Sequence, residues 1–159
     1  MGKKSAGLML YRQAPDGSGI EVLLVHPGGP FWRKKDEGAW TVPKGEFDDS
    51  EEPLAAAKRE FREELGCPAP AGDYFALGSI KQKGGKTVYA WVVKGEFDPA
   101  KLKSNTFSYE WPPSSKRIQE FPEVDRAEWF TPEMAKRKIL PAQEPFIDQL
   151  LETVRGDAV

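Results

Sequence analysis

The sequence predicts an α/β fold of the α+β kind, a mixed β-sheet with helices packed on it. Three observations lead there. Short apolar runs closed by Gly- and Pro-rich turns stand before and after one strong helical segment. That segment, residues 53–65, is amphipathic and carries stop and start signals at its ends. Helical patterning then returns at the C-terminal end. At 159 residues, the chain fits one domain with room for a core. No repeat, long linker or low-complexity tract divides residues 1–159.

In chain order, residues 6–12 read as a first strand, closed by the turn cluster Ala14-Pro15-Asp16-Gly17-Ser18-Gly19. Residues 20–26 form the second strand of a hairpin. A loop with Phe31-Trp32-Arg33-Lys34-Lys35 leads to a short strand at 39–42, which Pro43-Lys44-Gly45 ends. In the helix at 53–65, Pro53 suits the first turn and Gly66 the position after the last. Acids from Asp48 to Glu52 stand near the positive end of its dipole. Residues 74–81 and 87–93 read as strands joined by a hairpin turn at Gly84-Gly85. A shorter strand follows at 127–130, then helices at 132–138 and 141–154. The stretch Trp111-Pro112-Pro113-Ser114-Ser115 reads as an internal loop.

Composition narrows the function classes. No apolar run approaches the roughly 20 residues of a membrane span, so no membrane partner is expected and a cytoplasmic location is the default. Gly2 fits a myristoylation start, but the chain runs at once into a strand, and an unmodified terminus is expected. One cysteine, Cys67, excludes an internal disulfide and a multi-cysteine zinc site. The single histidine, His26, excludes sites needing two, and its place after Val22-Leu23-Leu24-Val25 marks a strand end. A net charge of −2 argues against a stable nucleic-acid partner held by a basic surface.

The helix at 53–65 carries the chemistry. At roughly 100° per residue, Leu54, Ala57, Phe61 and Leu65 share an arc of about 80°, which faces the core. Glu60, Glu63 and Glu64 share the adjoining arc, stacked at i, i+3 and i+4. Without a counterion this placement is unfavourable: the acids repel, they border the apolar stripe, and they oppose the dipole in the last turn. A divalent cation removes all three penalties, and Mg²⁺ suits carboxylate oxygens while reaching a substrate phosphate. The bland alternative is a solvated acidic face paired with Lys58, Arg59 and Arg62.

From Gly45 to Cys67 the chain reads GEFDDSEEPLAAAKREFREELGC. This resembles the signature of the Nudix hydrolase family, G-x5-E-x7-R-E-U-x-E-E-x-G-U, with Gly45, Glu51, Arg59, Glu60, Phe61, Glu63, Glu64, Gly66 and Cys67 in the defined places. Cys67 is small for the last apolar position. The resemblance implies a Nudix-type α/β/α sandwich and Mg²⁺-dependent cleavage of a phosphoanhydride bond, with Mn²⁺ as a substitute. It implies Glu60, Glu63, Glu64 and the Gly45 carbonyl as metal ligands, with Glu63 alternatively the base. Arg59 and Glu51 become an orienting pair. Family members often add a carboxylate from a later loop, for which Glu120 and Glu123 are candidates and Glu123 is favoured.

The implied substrate is a small nucleotide with a diphosphate linked to another group. Lys44 in the lead-in, Trp32 for stacking, and Lys34, Lys35, Lys83 and Lys86 for extra phosphates are the substrate-binding candidates. The cast resembles diadenosine polyphosphate hydrolases, although Gly84 stands where that group has a tyrosine. Gln82 stands where the ADP-ribose group has a proline. A nucleoside triphosphate pyrophosphatase is the close alternative, and a nucleotide-sensing module without turnover the alternative of another class. Oligomeric state is not legible.

Overall fold

A computed structural model describes residues 3–157; Gly2, and with it the question of myristoylation, lies outside them. The described residues build one sheet in the order β4 (Phe75–Lys81), β5 (Thr87–Lys94), β1 (Lys4–Gln13), β2 (Ile20–Pro27), β8 (Val124–Phe130), with β3 (Lys44–Phe47) pairing β1, plus a separate two-stranded sheet of β6 (Thr106–Glu110) and β7 (Ile118–Pro122). Strand β1 (Lys4–Gln13) turns at Gly17–Gly19 into β2 (Ile20–Pro27), paired through Tyr11↔Val22 and Gln13↔Ile20. Strand β5 (Thr87–Lys94) runs parallel to β1 along its whole length. Strand β4 (Phe75–Lys81) flanks β5, and β8 (Val124–Phe130) flanks β2, both antiparallel. The turn between β4 and β5 is a single 3₁₀ turn at Lys83–Gly85.

Side chains alternate across this sheet, so each face has its own core. Ala6, Leu8, Leu10, Leu23 and Val25 meet helix α1 (Pro53–Leu65) through Ala56, Ala57, Phe61 and Leu65. Met9, Val22, Leu24, Val88 and Val92 meet helices α2 (Pro132–Lys138) and α3 (Glu144–Asp157) on the other face. The layers are therefore helix, sheet, helix. Full burial of Phe61 and Leu65 contributes roughly 1.5–3 kcal/mol each. The predicted helix 141–154 begins instead with a 3₁₀ turn, Pro141–Gln143, before α3 proper.

From Leu10 back toward Lys4 the two central strands part, and the segment before α1 fills the gap. Thr41 exchanges both backbone hydrogen bonds with Val25 at 2.9 Å, and the Leu8 amide donates to the Pro43 carbonyl at 3.0 Å. Strand β3 (Lys44–Phe47) then pairs with β1 from Gly7↔Lys44 to Lys4↔Phe47. The predicted strand at 39–42 is thus corrected. Ala39, Trp40 and Val42 are apolar because they are packed against the core, while the longer ladder belongs to the polar residues that follow. Pro43-Lys44-Gly45 opens a strand rather than ending one.

The stretch read as a loop around residue 111 is the tip of a hairpin, β6 (Thr106–Glu110) with β7 (Ile118–Pro122). The expected role of the acids at 48–52 also changes. No acid lies in the first turn of α1; Asp48 instead accepts from the Ser50 amide at 2.8 Å, and Glu51 turns to Arg59. His26 is the buried strand-end residue expected, with its ring against Asp125 Oδ1 at 2.7 Å and the Lys35 carbonyl at 2.6 Å.

Candidate functional site

Helix α1 brings its acids to the sheet where β3 is wedged in. Glu60 and Glu64, one turn apart, are buried, only 8% and 9% exposed. Gly45 lies flat against the Glu60 carboxylate, and a Cβ there would overlap it. The Lys44 amide donates to Glu64 Oε1 at 3.2 Å. Glu123, between β7 and β8, joins the pair: one oxygen from each of Glu60, Glu64 and Glu123 falls within 4.8 Å of the others. Its backbone is pinned on both sides, the amide to Asn105 and the carbonyl to Gly28. Glu120 instead accepts a long hydrogen bond from Thr106 on the exposed hairpin.

Arg59 is the organiser. Its Nε and Nη2 donate to the two oxygens of Glu51 at 2.8 and 2.9 Å, and Nη1 donates to Glu60 Oε1 at 2.7 Å and Glu63 Oε2 at 3.2 Å. The fork ties the loop before the helix to two acids upon it. Glu63 sits at the rim, outside the tight trio, with its side chain 37% exposed. Helix α1 stops at Gly66, whose φ of 84° and amide bond to the Arg62 carbonyl match the left-handed end expected of glycine.

The trio is electrostatically strained. Burial, reinforced by Glu60 and Glu123, pushes the Glu64 carboxyl up to about 8. Burial raises Glu60 against the opposing pull of Arg59, and burial with Glu63 raises Glu123. The Lys44 ammonium is lowered, first by burial and then by Lys86. A solvated acidic face does not describe this arrangement: Glu60 and Glu64 are buried, and of the expected basic partners Arg59 does pair with Glu60 and Glu63, while Lys58 lies over the Tyr74 ring. Two buried carboxylates converging with a half-buried third fit a hard divalent cation, whose charge would offset the desolvation that raises them.

Beside the trio opens a cleft of about 310 Å³, lined by Trp32, Thr41, Lys44, Glu64, Gln82 and Glu123 among others. Of the predicted substrate-binding residues, Trp32 and Lys44 are brought here. Lys86 stands near, with its ammonium 3.9 Å from Glu46 at the site's edge. Lys34 and Lys83 are exposed, and Lys35 lies with its ammonium over the Trp32 ring; none of these three lines the cleft. Gln82 was singled out in the sequence only for its departure from a relative's proline; the structure gives it a wall of the cleft.

The NUDIX domain family model matches residues 3–150. An 8-oxo-(d)GTP phosphatase of Mycolicibacterium smegmatis is 31% identical over 109 residues, 60% of this chain and 31% of that protein. An RNA pyrophosphohydrolase of Rhodospirillum rubrum is 24% identical over 159 residues, 98% of this chain and 93% of that one. The chain therefore spans about a third of the first relative and nearly all of the second. Among solved structures, a C. elegans Ap4A hydrolase in a binary complex superposes with a TM-score of 0.63 at 21% identity, covering 96% of this chain and 98% of that chain. The NUDIX domain of Shewanella oneidensis NrtR complexed with ADP ribose gives 0.64 at 15% identity, covering 97% and 89%. At these identities the structural likenesses establish the fold.

Proposed function

Because the chain belongs to the Nudix family, whose members among its relatives include hydrolases of pyrophosphate-containing substrates, we propose that it hydrolyses a phosphoanhydride bond in a dinucleoside polyphosphate, using Mg²⁺. The observation that carries the reading is the convergence of buried Glu60 and Glu64 with half-buried Glu123 beside a cleft that also holds Lys44 and Trp32. Mg²⁺ held by the trio would neutralise phosphate charge and ease deprotonation of the attacking water. Arg59 keeps Glu60 and Glu63 aimed while its own charge is spent on Glu51. Glu63, at the rim, would take a proton from that water. Lys44 offers its ammonium to a phosphate oxygen, and Trp32 offers its ring to a base. Lys86 at the edge supports a longer phosphate chain. The full-length match to an Ap4A hydrolase fold favours this substrate class, and the match to an 8-oxo-(d)GTP phosphatase favours nucleoside triphosphates as the second reading.

A panel of dinucleoside tetraphosphates and nucleoside triphosphates, incubated with Mg²⁺ and resolved by ion exchange, tests the proposal. Preferential turnover of the tetraphosphates supports it; turnover confined to triphosphates replaces it with the second reading. Binding without turnover of any member would point to a sensing module instead. In the same assay Glu64→Gln is expected to lower kcat by about a hundredfold or more, and to abolish the rise in Tm that Mg²⁺ gives the wild type. Glu63→Gln is expected to lower kcat comparably while keeping that rise.

A further inference from the structure

Strand β8 carries one residue more than its partner can match. In its register with β2, Val25 faces Ala127 and His26 faces Arg126, but the next residue, Pro27, faces Val124. Asp125 is left over, a β-bulge at the end of the strand nearest the acids. The side chains record it. Ala127 and Val124 are both buried in the core that helix α1 covers, although strict alternation over three positions would send them to opposite faces. Beyond the bulge the two chains run close. The Gly28 amide donates to the Glu123 carbonyl at 2.9 Å, and a Cβ on Gly28 would overlap the Pro122 carbonyl. Without the bulge, Asp125 would take the place facing Pro27 and Val124 would turn away from the core. Glu123 would then be carried one residue along from where it stands. Its place among the acids therefore depends on where the extra residue falls.

We infer that Asp125 is a positioning residue: through its contact with His26 it holds the bulge in place, and so keeps Glu123 beside Glu60 and Glu64. The inference rests on the reading of those three acids as a metal site. His26 is a fixed anchor. It is fully buried, its Nε2 meets the Lys35 carbonyl at 2.6 Å, and its ring packs edge-on to the buried Trp40 with centroids 5.2 Å apart. Its other nitrogen, Nδ1, meets Asp125 Oδ1 at 2.7 Å. The backbone alone gives a bulge no single place, because a slip of one residue trades one set of ladder bonds for another. A side chain bonded to a buried anchor does give it one. The bond from the Glu123 amide to the Asn105 carbonyl, at 2.8 Å, leads only to the segment before β6 and sets no register for β8. Among the described residues, the contact between Asp125 and His26 is the one side-chain bond made at the extra residue itself.

The test measures Mg²⁺ binding by titration calorimetry and needs no turnover. Asp125→Ala frees the bulge while His26 stays anchored at Lys35, and is expected to weaken Mg²⁺ by about tenfold or more. Asp125→Asn removes the same charge but keeps an oxygen and an NH2 beside Nδ1, so it is expected to stay within about threefold of the wild type. Asp125 acts through Glu123, so the double change of Asp125→Ala with Glu123→Gln is expected to bind no more weakly than Glu123→Gln alone. Losses that add in full in the double variant would mean a general loosening, and an Asp125→Asn as weak as Asp125→Ala would mean a bare charge effect. Either result would overturn the inference. An Asp125→Ala that binds Mg²⁺ as the wild type does would overturn it too, while leaving the metal reading in place. A wild type that takes up no Mg²⁺ would remove the metal reading itself, and the inference with it.

Discussion

Glu64 loses nearly all its water on folding and gains Glu60 and Glu123 as neighbours, so its carboxyl is carried from the ordinary range up to about 8. The consequence for stability has a definite sign. Between about 4.5 and 8 the folded chain holds a proton that the unfolded chain has lost, so without metal the stability contributed by this group falls as pH rises through that window. It is level below the window, where both states are protonated, and above it, where neither is. In chelator, Tm is expected to decline from pH 5 to pH 8, and Glu64→Gln is expected to flatten much of that decline. Added Mg²⁺ should raise Tm more at pH 8.5 than at pH 6, because at the lower pH it must displace the proton; an equal rise at both would contradict the assignment. At this scale the sequence was informative wherever residues act through helical spacing. Glu60 and Glu64 could be placed together from their i, i+4 separation, and Glu51 with Arg59 from the family signature. His26 and Asp125 could not, because 99 positions separate them and only the folded chain brings their side chains into contact.

Among the elements, α1 was legible to the residue, from Pro53 at its start to Gly66 past its end, since both signals are local. Arg59 shows what the helix does besides presenting acids. It crosses from the helix to Glu51 with a planar fork that an ammonium cannot reproduce. Arg59→Lys is therefore expected to lower kcat by about 10–100-fold with little change in KM or Tm, because it disturbs the aim of Glu60 and Glu63 rather than the fold or the cleft. A rise in KM with kcat intact would place Arg59 on the substrate instead. The strands were less legible. The apolar run at 39–42 looked like the ladder, yet the longer ladder is Lys44–Phe47, none of whose residues is fully buried. The hairpin of β6 and β7 was missed for a related reason: it stands off the main sheet with its side chains largely exposed on both faces, so no alternation marks it.

In the whole molecule, the site exists because β1 and β2 part and the chain after Thr41 is threaded between them. The acids and the cleft meet at that wedge. The wedge is tied to both central strands by backbone bonds at Val25 and Leu8, so it shares their fate on opening. Native-state hydrogen exchange is expected to show the Leu8, Val25 and Thr41 amides opening only with global unfolding, while amides in Thr106–Glu110 exchange through local opening. Early exchange at Thr41 would mean that the site segment is a loop laid over the sheet. The layered arrangement itself was readable from the order of strands and helices; the parting of the central strands was not, and its one local trace is Gly7, where Val42 and Pro43 come too close for a Cβ. The strand order has one more consequence, for how the molecule comes into being. Strand β1 precedes β5 by some eighty residues, yet β5, which begins at Thr87, is its longest partner, and the pairing is parallel. During synthesis β1 must wait, with Leu8, Met9 and Leu10 lacking that partner, until β5 has emerged. Closing so distant a contact makes folding slow for a chain of this size, and leaves that first hairpin as the segment most in need of a chaperone.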